Sequence, residues 1–193
     1  ISFGLELRYA CLHLRNRGAD VRQLDHVRLG CLHQAAQLGE VVLDPACGTS
    51  GFLTCAIEHI RKNYVKTVDD EERLQQSIAG VEKKQLPHLL CTTNMLLHNI
   101  QVPSQIQHDN TLARPLRDYS PKDRVDCIIT NPPFGGMEED GIEQNFPAAF
   151  RTRETADLFL VLIMKRLKQG GRAAVVFLLP ALYRSPNCPG AIC

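Results

Sequence analysis

Hydrophobic positions along this chain fall into short continuous runs that alternate with stretches of helical spacing. Val41, Val42 and Leu43 form a fully apolar run that ends on Asp44. Beyond a turn over residues 45–51, Phe52, Ala56, Ile57 and Ile60 recur at three- and four-residue intervals, predicting a helix over residues 52–64. Residues 78–82 read as a second strand, again ending on an acid, Glu82. A helix follows over residues 86–100, with Leu89, Leu90, Thr93, Leu96 and Leu97 expected inward. A weak third strand over residues 106–108, a strong fourth over 125–130, a helix over 156–168 stopped by Gly170 and Gly171, and a fifth strand over 172–179 complete the alternation. Before the first strand, Leu5, Tyr9 and Leu12, then Val27, Cys31 and Ala35, predict one or two helices within residues 5–37. The charged stretch 66–73 reads as a solvated loop or helix start, and residues 115–124 and 135–147 as surface loops. Strand–helix–strand alternation with continuously apolar strands predicts right-handed crossovers and a mostly parallel sheet covered on both faces. The fold class is α/β, doubly wound.

Charge and cysteine content narrow the field. Across 193 residues, 22 Lys and Arg face 21 Asp and Glu, for a net charge of +1. That balance excludes a polybasic nucleic-acid coat and leaves any DNA contact to a local face or a partner. No apolar run approaches the ~18–20 residues of a membrane span, and no basic segment followed by an apolar one marks a secretory leader. The eight cysteines contain no C-x2-C pair, so no zinc site is expected and reduced thiols in a cytoplasmic protein are.

The chemistry concentrates at the strand ends. In open α/β sheets, ligands sit beyond the carboxyl ends of the strands where the strand order reverses. Asp44, Pro45, Ala46, Cys47, Gly48, Thr49, Ser50 and Gly51 occupy that position between the first strand and helix. Gly48 and Gly51 permit close backbone approach, and the helix start offers free N–H groups. No G-x-G-x-x-G fingerprint and no Gly-Lys-Ser/Thr are present, which leaves a nucleoside ligand without pyrophosphate. Glu82 is placed to accept ribose hydroxyls; Asp109 and Asn110 stand where an adenine amino group could be read, or where an Asx turn could form. After the fourth strand come Asn131, Pro132, Pro133 and Phe134. The prolines stiffen the backbone so that the Asn131 amide and the Pro132 carbonyl can face one amino group together. Two acceptors on a conjugated amine favour a tetrahedral nitrogen whose lone pair is free to attack a methyl group. Phe134 offers a ring for base stacking.

The block Asp-Pro-Ala-Cys-Gly-Thr-Ser-Gly-Phe-Leu with Ile-Thr-Asn-Pro-Pro-Phe-Gly resembles the amino-methyltransferases, specifically the modification subunits of type I restriction–modification systems. The resemblance covers residues 41–180 and implies a Rossmann-like, S-adenosylmethionine-dependent N6-adenine DNA methyltransferase, with specificity and restriction subunits as partners. It implies further that residues 44–51 hold the methionine part of the cofactor, Glu82 its ribose and Asp109 its adenine. Asn131, Pro132 and Phe134 would form the pocket for an adenine extruded from the duplex. The same pocket serves RNA and protein-glutamine methyltransferases, and a non-catalytic remnant that binds cofactor or partners is a third reading. The sequence departs from the family pattern at Ser50, where a glycine is usual, and lacks the aromatic-x-Thr-Pro segment before the first strand. Its family's sheet has seven strands, so five are expected here, in the order 3-2-1-4-5 with the fifth at an edge. The expected division is a helical segment over residues 1–40, a partial catalytic domain over 41–180 and an irregular tail over 181–193.

Overall fold

The computed structural model describes residues 36–133 and 136–176. The expected N-terminal helices, Phe134 and the tail lie outside the described residues, as do Cys11, Cys31, Cys188 and Cys193. Five strands, β1 (Val42–Asp44), β2 (Ile78–Glu82), β3 (Ile106–His108), β4 (Val125–Thr130) and β5 (Leu167–Val175), form one sheet in the order β3-β2-β1-β4-β5. Every pairing is parallel. Four helices connect them: α1 (Gly51–Tyr64), α2 (Val68–Ser77), α3 (Gln85–Leu97) and α4 (Thr155–Arg166). The chain runs outward from β1 to β3, then returns to place β4 on the other side of β1. The strand order therefore reverses between β1 and β4, which opens a crevice at their carboxyl ends.

The apolar runs are strands because both of their faces are covered. Val42, Cys127 and Ile129 join a cluster with Leu53, Ile57 and Ile60 of α1 and Cys91 and Met95 of α3. Leu43 and Ile128, one residue out of phase, pack on the opposite face with Ile163 of α4. Gly80 on β2 is fixed by this packing: a Cβ there would lie 3.0 Å from Leu53 Cδ1 and 3.1 Å from both Cys47 Sγ and Ile106 Cδ1.

Of the two readings open for the charged stretch, the helix start holds, and two other expectations change. The stretch begins a helix, α2, because Thr67 and Asp70 form a capping box: Asp70 N–H donates to Thr67 Oγ1 and Thr67 N–H to Asp70 Oδ2. A two-toothed ion pair, Arg61 on Glu71 at 2.6 and 3.2 Å, then binds α2 to α1. Helix α3 turns the opposite face inward. Cys91 and Met95 are fully buried, whereas Leu89, Leu96 and Leu97 are more than half exposed, and Leu90 and Thr93 also face solvent. The helix is apolar on two sides, and the side carrying Cys91 and Met95 packs against the cluster of Val42, Leu53 and Ile57. Finally, the glycine pair does not stop α4, which ends at Arg166. It forms a bulge inside β5, where Val125 pairs with Leu167 but Cys127 with Arg172. Gly170 has φ +78°, and a Cβ on Gly171 would meet backbone oxygens at 3.0 and 3.1 Å. The fifth strand therefore starts five residues earlier than expected, and residues 177–179 of its expected span lie outside the described residues.

Gly80→Ala should destabilise the chain by about 1–3 kcal/mol through overpacking. Urea denaturation checks this; an unchanged midpoint would show that Leu53 and Ile106 can withdraw freely.

Candidate functional site

The crevice between β1 and β4 is organised by Asp44, the last residue of β1, which is 1% exposed. Its Oδ1 accepts the Ala46 N–H at 3.0 Å and the hydroxyl of Thr130, the last residue of β4, at 2.7 Å. The turn is then pinned to the second strand, with Cys47 N–H donating to the Val81 carbonyl at 3.0 Å. Gly48 N–H donates to Glu82 Oε2 at 2.9 Å, and the other Glu82 oxygen accepts Lys84 N–H at 2.7 Å. Glu82 thus stands beside the glycine turn, as the sequence suggests, and also holds that turn in place. Gly48 has φ +54° and a Cβ there would meet no protein atom, so the space beside it is open.

Ser50 takes the left-handed conformation, φ +81°, at the start of α1, which explains the usual preference for glycine at this position. Its hydroxyl is fully buried beside the Cys91 thiol and makes no well-formed hydrogen bond. Cys47 and Cys91 face each other at 3.6 Å as free thiols, and this contact with burial holds the Cys47 thiol far above its usual range.

Burial raises the Asp44 carboxyl to about 7, well above the ordinary carboxylate range. The Thr130 hydroxyl and Ala46 N–H pull it down, and the nearby negative charge of Glu82 pushes it up. No cation among the described residues is among these influences. The cleft therefore holds a buried acid whose ionised form a positively charged ligand would favour.

Beyond β4, Asn131 is exposed, Pro132 buried and Pro133 exposed. Among the described residues the Asn131 side chain has no hydrogen-bond partner, so its amide is available at the mouth of the crevice. Asp109 and Asn110 follow β3: Asn110 N–H donates to Asp109 Oδ1 at 2.7 Å and Asn110 Oδ1 accepts Leu112 N–H at 3.0 Å. This is the Asx-type turn, with the Asp109 side chain exposed at the strand end.

Sequence reasoning did not identify Thr130, Lys83, Glu138 or Thr155 as parts of this site. Glu138, just past the Asn-Pro-Pro segment, reaches Lys83 Nζ at 3.3 Å, Asn110 Nδ2 at 3.4 Å and Thr155 Oγ1 at 3.4 Å. Thr155 also donates through its hydroxyl to the Gly136 carbonyl at 2.9 Å. These contacts tie the loop after β4 to the rims of β2 and β3. The one local signal was Thr130, a hydroxyl at the last strand position across from a buried acid.

A family model described as N-6 DNA Methylase matches residues 24–192. The chain belongs to the N-6 DNA methylase family. It is 67% identical over 140 residues to the methylase subunit of the type I restriction enzyme EcoEI of Escherichia coli, covering 72% of this chain and 28% of that protein. A modification subunit assigned to a type I restriction enzyme of Vibrio vulnificus YJ016 superposes with a TM-score of 0.72 at 52% identity, over 78% of this chain and 33% of that one. The M protein of the type I enzyme EcoKI superposes with a TM-score of 0.67 at 28% identity, over 80% of this chain and 32% of that one. The chain thus spans about a third of the length of these relatives. Among the described residues no helix is long and apolar enough to cross a membrane.

Two expectations follow for the turn. Ser50→Gly should stabilise the chain by about 1 kcal/mol, since it removes left-handed strain and a buried unpaired hydroxyl at some cost in chain entropy. A lower melting temperature would show that the Ser50 hydroxyl is bonded in solution. For Asp44, the folded protein keeps a proton that the unfolded chain releases. Stability should therefore fall as pH climbs from about 4 to about 7 and level off above. Asp44→Asn keeps an acceptor for Ala46 and Thr130, so it should flatten that fall and gain roughly 2 kcal/mol at pH 8. Parallel slopes in denaturation series at pH 5–8 would rule out a buried, protonated Asp44.

Proposed function

We propose that the chain carries the cofactor cleft and base-capturing loop of an N6-adenine DNA methyltransferase of the type I modification-subunit kind, acting with specificity and restriction subunits on DNA. The observation that carries this reading is the 2.7 Å hydrogen bond from Thr130 to Asp44. It joins the Asp-Pro-Ala-Cys-Gly turn and the Asn-Pro-Pro loop at the mouth of one crevice. On this reading, residues 41–180 form the catalytic unit, flanked by residues 1–40 and 181–193.

The residues suit S-adenosylmethionine. An uncompensated buried acid, a second carboxylate beside it and open space next to Gly48 fit a ligand with positive charge on its ammonium and sulfonium groups. Residues 44–51 would hold the amino-acid part, Glu82 the ribose diol, and Asp109 with Asn110 the base. When bound, the cofactor supplies an electrophilic methyl group on its sulfonium sulfur. The chain supplies orientation. Asn131, through its amide oxygen, and Pro132, through its carbonyl, accept the two hydrogens of the adenine amine and turn its lone pair toward the methyl group. Pro133 keeps that backbone rigid, and Phe134 stacks on the extruded base. A positive ligand favours ionised Asp44, so affinity should rise as pH passes through about 7.

Calorimetric titration of the 193-residue chain with S-adenosylmethionine and its demethylated product tests the cleft. Binding that strengthens from pH 6 to 8 in the wild type and loses this dependence in Asp44→Asn is expected. No binding by the folded chain would reject the assignment. Catalysis is read in a full-length protein carrying this sequence, with its specificity subunit, on unmethylated duplex DNA. There, Asn131→Ala should cut turnover roughly 10²–10³-fold with cofactor affinity nearly unchanged, because the lost hydrogen bond strengthens only as the nitrogen becomes tetrahedral. Equal losses in affinity and turnover would place Asn131 in the cofactor site instead.

A further inference from the structure

A groove of about 550 Å³ runs along α4 on the face of the sheet away from α1 and α3, outside the methyl-transfer cleft. One wall is α4, through Val161, Met164 and Lys165; the other comes from Pro115 to Arg117 after β3 and from the loop segment Gln144 to Arg151. Its floor is apolar: Phe150 is 50% exposed and Met164 44%, beside Leu116, Phe146 and Pro147. Its rim carries Arg117, Arg151 and Lys165, and among the described residues no carboxylate lines it. These cations are scarcely spent within the described residues. Arg117 reaches only its neighbour Asp118, at 3.7 Å with 87% of its side chain exposed. Arg151 bonds a backbone oxygen, that of Phe146, at 3.2 Å, and Lys165 has no ion-pair partner. In a chain of net charge +1, three cations around one apolar trough, with no acid among its described lining residues, are a local departure.

The geometry points to a docking groove for an acidic, amphipathic segment of a partner protein, whose apolar side chains fill the trough while its carboxylates meet Arg117, Arg151 and Lys165. Apolar contact gives affinity and the cationic rim gives selectivity and orientation. A nucleic-acid backbone would satisfy the rim but leave Phe150 and Met164 against charged phosphates. Two copies of this chain meeting groove to groove would set cation against cation. An acidic protein segment satisfies both features, whatever the fate of the methyl-transfer reading, since no residue of that cleft lines the groove.

The probe is a fluorescein-labelled 18-residue helical peptide with leucines at i, i+3/i+4 and i+7 and glutamates beside them, titrated into the full 193-residue chain. Controls are the same peptide with lysines for glutamates and a duplex oligonucleotide. The expected result is saturable binding of the acidic peptide alone, weakening as salt rises from 50 to 500 mM. Arg117→Glu with Lys165→Glu should lower affinity at least tenfold, and Phe150→Ala at least fivefold, with unchanged melting temperatures. Phe150 and Arg117 are exposed and hold no structural bond that would compromise folding. Amide-exchange protection should map to residues 115–117, 144–151 and 161–165. Equal binding of the acidic and basic peptides, displacement by the duplex at matched charge, self-association abolished by the same substitutions, or protection elsewhere would each overturn the proposal. So would failure of the acidic peptide to bind at millimolar concentration.

Discussion

The Asp44 carboxyl, buried at the end of β1 and bonded to the Thr130 hydroxyl, is the constraint around which the rest of the site is arranged. β1 is only three residues long, so its carboxyl end has little ladder of its own to set its position relative to β4. The Asp44–Thr130 bond adds a side-chain link at the point where backbone pairing stops. Through Ala46 and Cys47 the same turn is fastened to its own acid and to β2, and through Gly48 to Glu82. Three strand ends are therefore held in register by a handful of hydrogen bonds, of which the Thr130–Asp44 bond is buried and so stronger than its surface equivalent. Moving any one of them moves the start of α1 and the Asn-Pro-Pro segment together.

What could be read from the residues alone follows the range of the forces involved. β2 and β4 have the bounds their apolar runs indicate, because a strand buried on both faces is written in local hydrophobicity, whereas β3, with only Ile106 buried, left a weak signal. The sheet order agrees with the one that the family resemblance implies, one of the few that right-handed crossovers allow. The charges of residues 66–73 left loop and helix start both open, although the T-x-x-D capping box that decides for helix α2 is local. The inward face of α3 could not be read, because periodicity identifies an apolar stripe but not which of two stripes meets the sheet. Cys91 and Met95 won over five leucines by fit, a property of the sheet surface opposite. In the site, the candidates converged as their strand-end positions imply. The bond from Gly48 to Glu82, the Thr130 hydroxyl and the contact of Glu138 with Lys83 and Asn110 join residues 28 to 86 positions apart, and no local pattern records them.

The loop after β4 illustrates how the fold divides its charges. Glu138 and Glu139 meet Lys83, whose ammonium is held above its usual range first by Glu139 and then by Glu138, so the rim of the crevice is closed by an ion-paired network of two acids and one cation. Inside the rim only carboxylates remain, Asp44 and Glu82. Arg117, Arg151 and Lys165 lie outside the crevice, along α4 and the segments that face it. The crevice and the groove thus differ in the sign of the charged residues that line them, and each can attract a different class of ligand.

Keeping an acid where it is protonated near neutrality costs stability, and asparagine could accept the same two hydrogen bonds. Retention of a carboxyl is intelligible if the folded chain is not the final state. A neutral Asp44 spares the empty cleft the full cost of two desolvated like charges. Arrival of a cationic ligand reverses the balance: the proton leaves, and the new carboxylate meets positive charge in a low-dielectric site where the attraction is least screened. The free energy withheld from folding then reappears as binding, and the proton released makes the two linked. Thr130 sets the balance point, because its hydroxyl opposes the desolvation that raises Asp44. A residue at the end of β4, beside Asn131, thereby influences how tightly the turn after β1 can hold a positive ligand, and the two halves of the crevice respond as one.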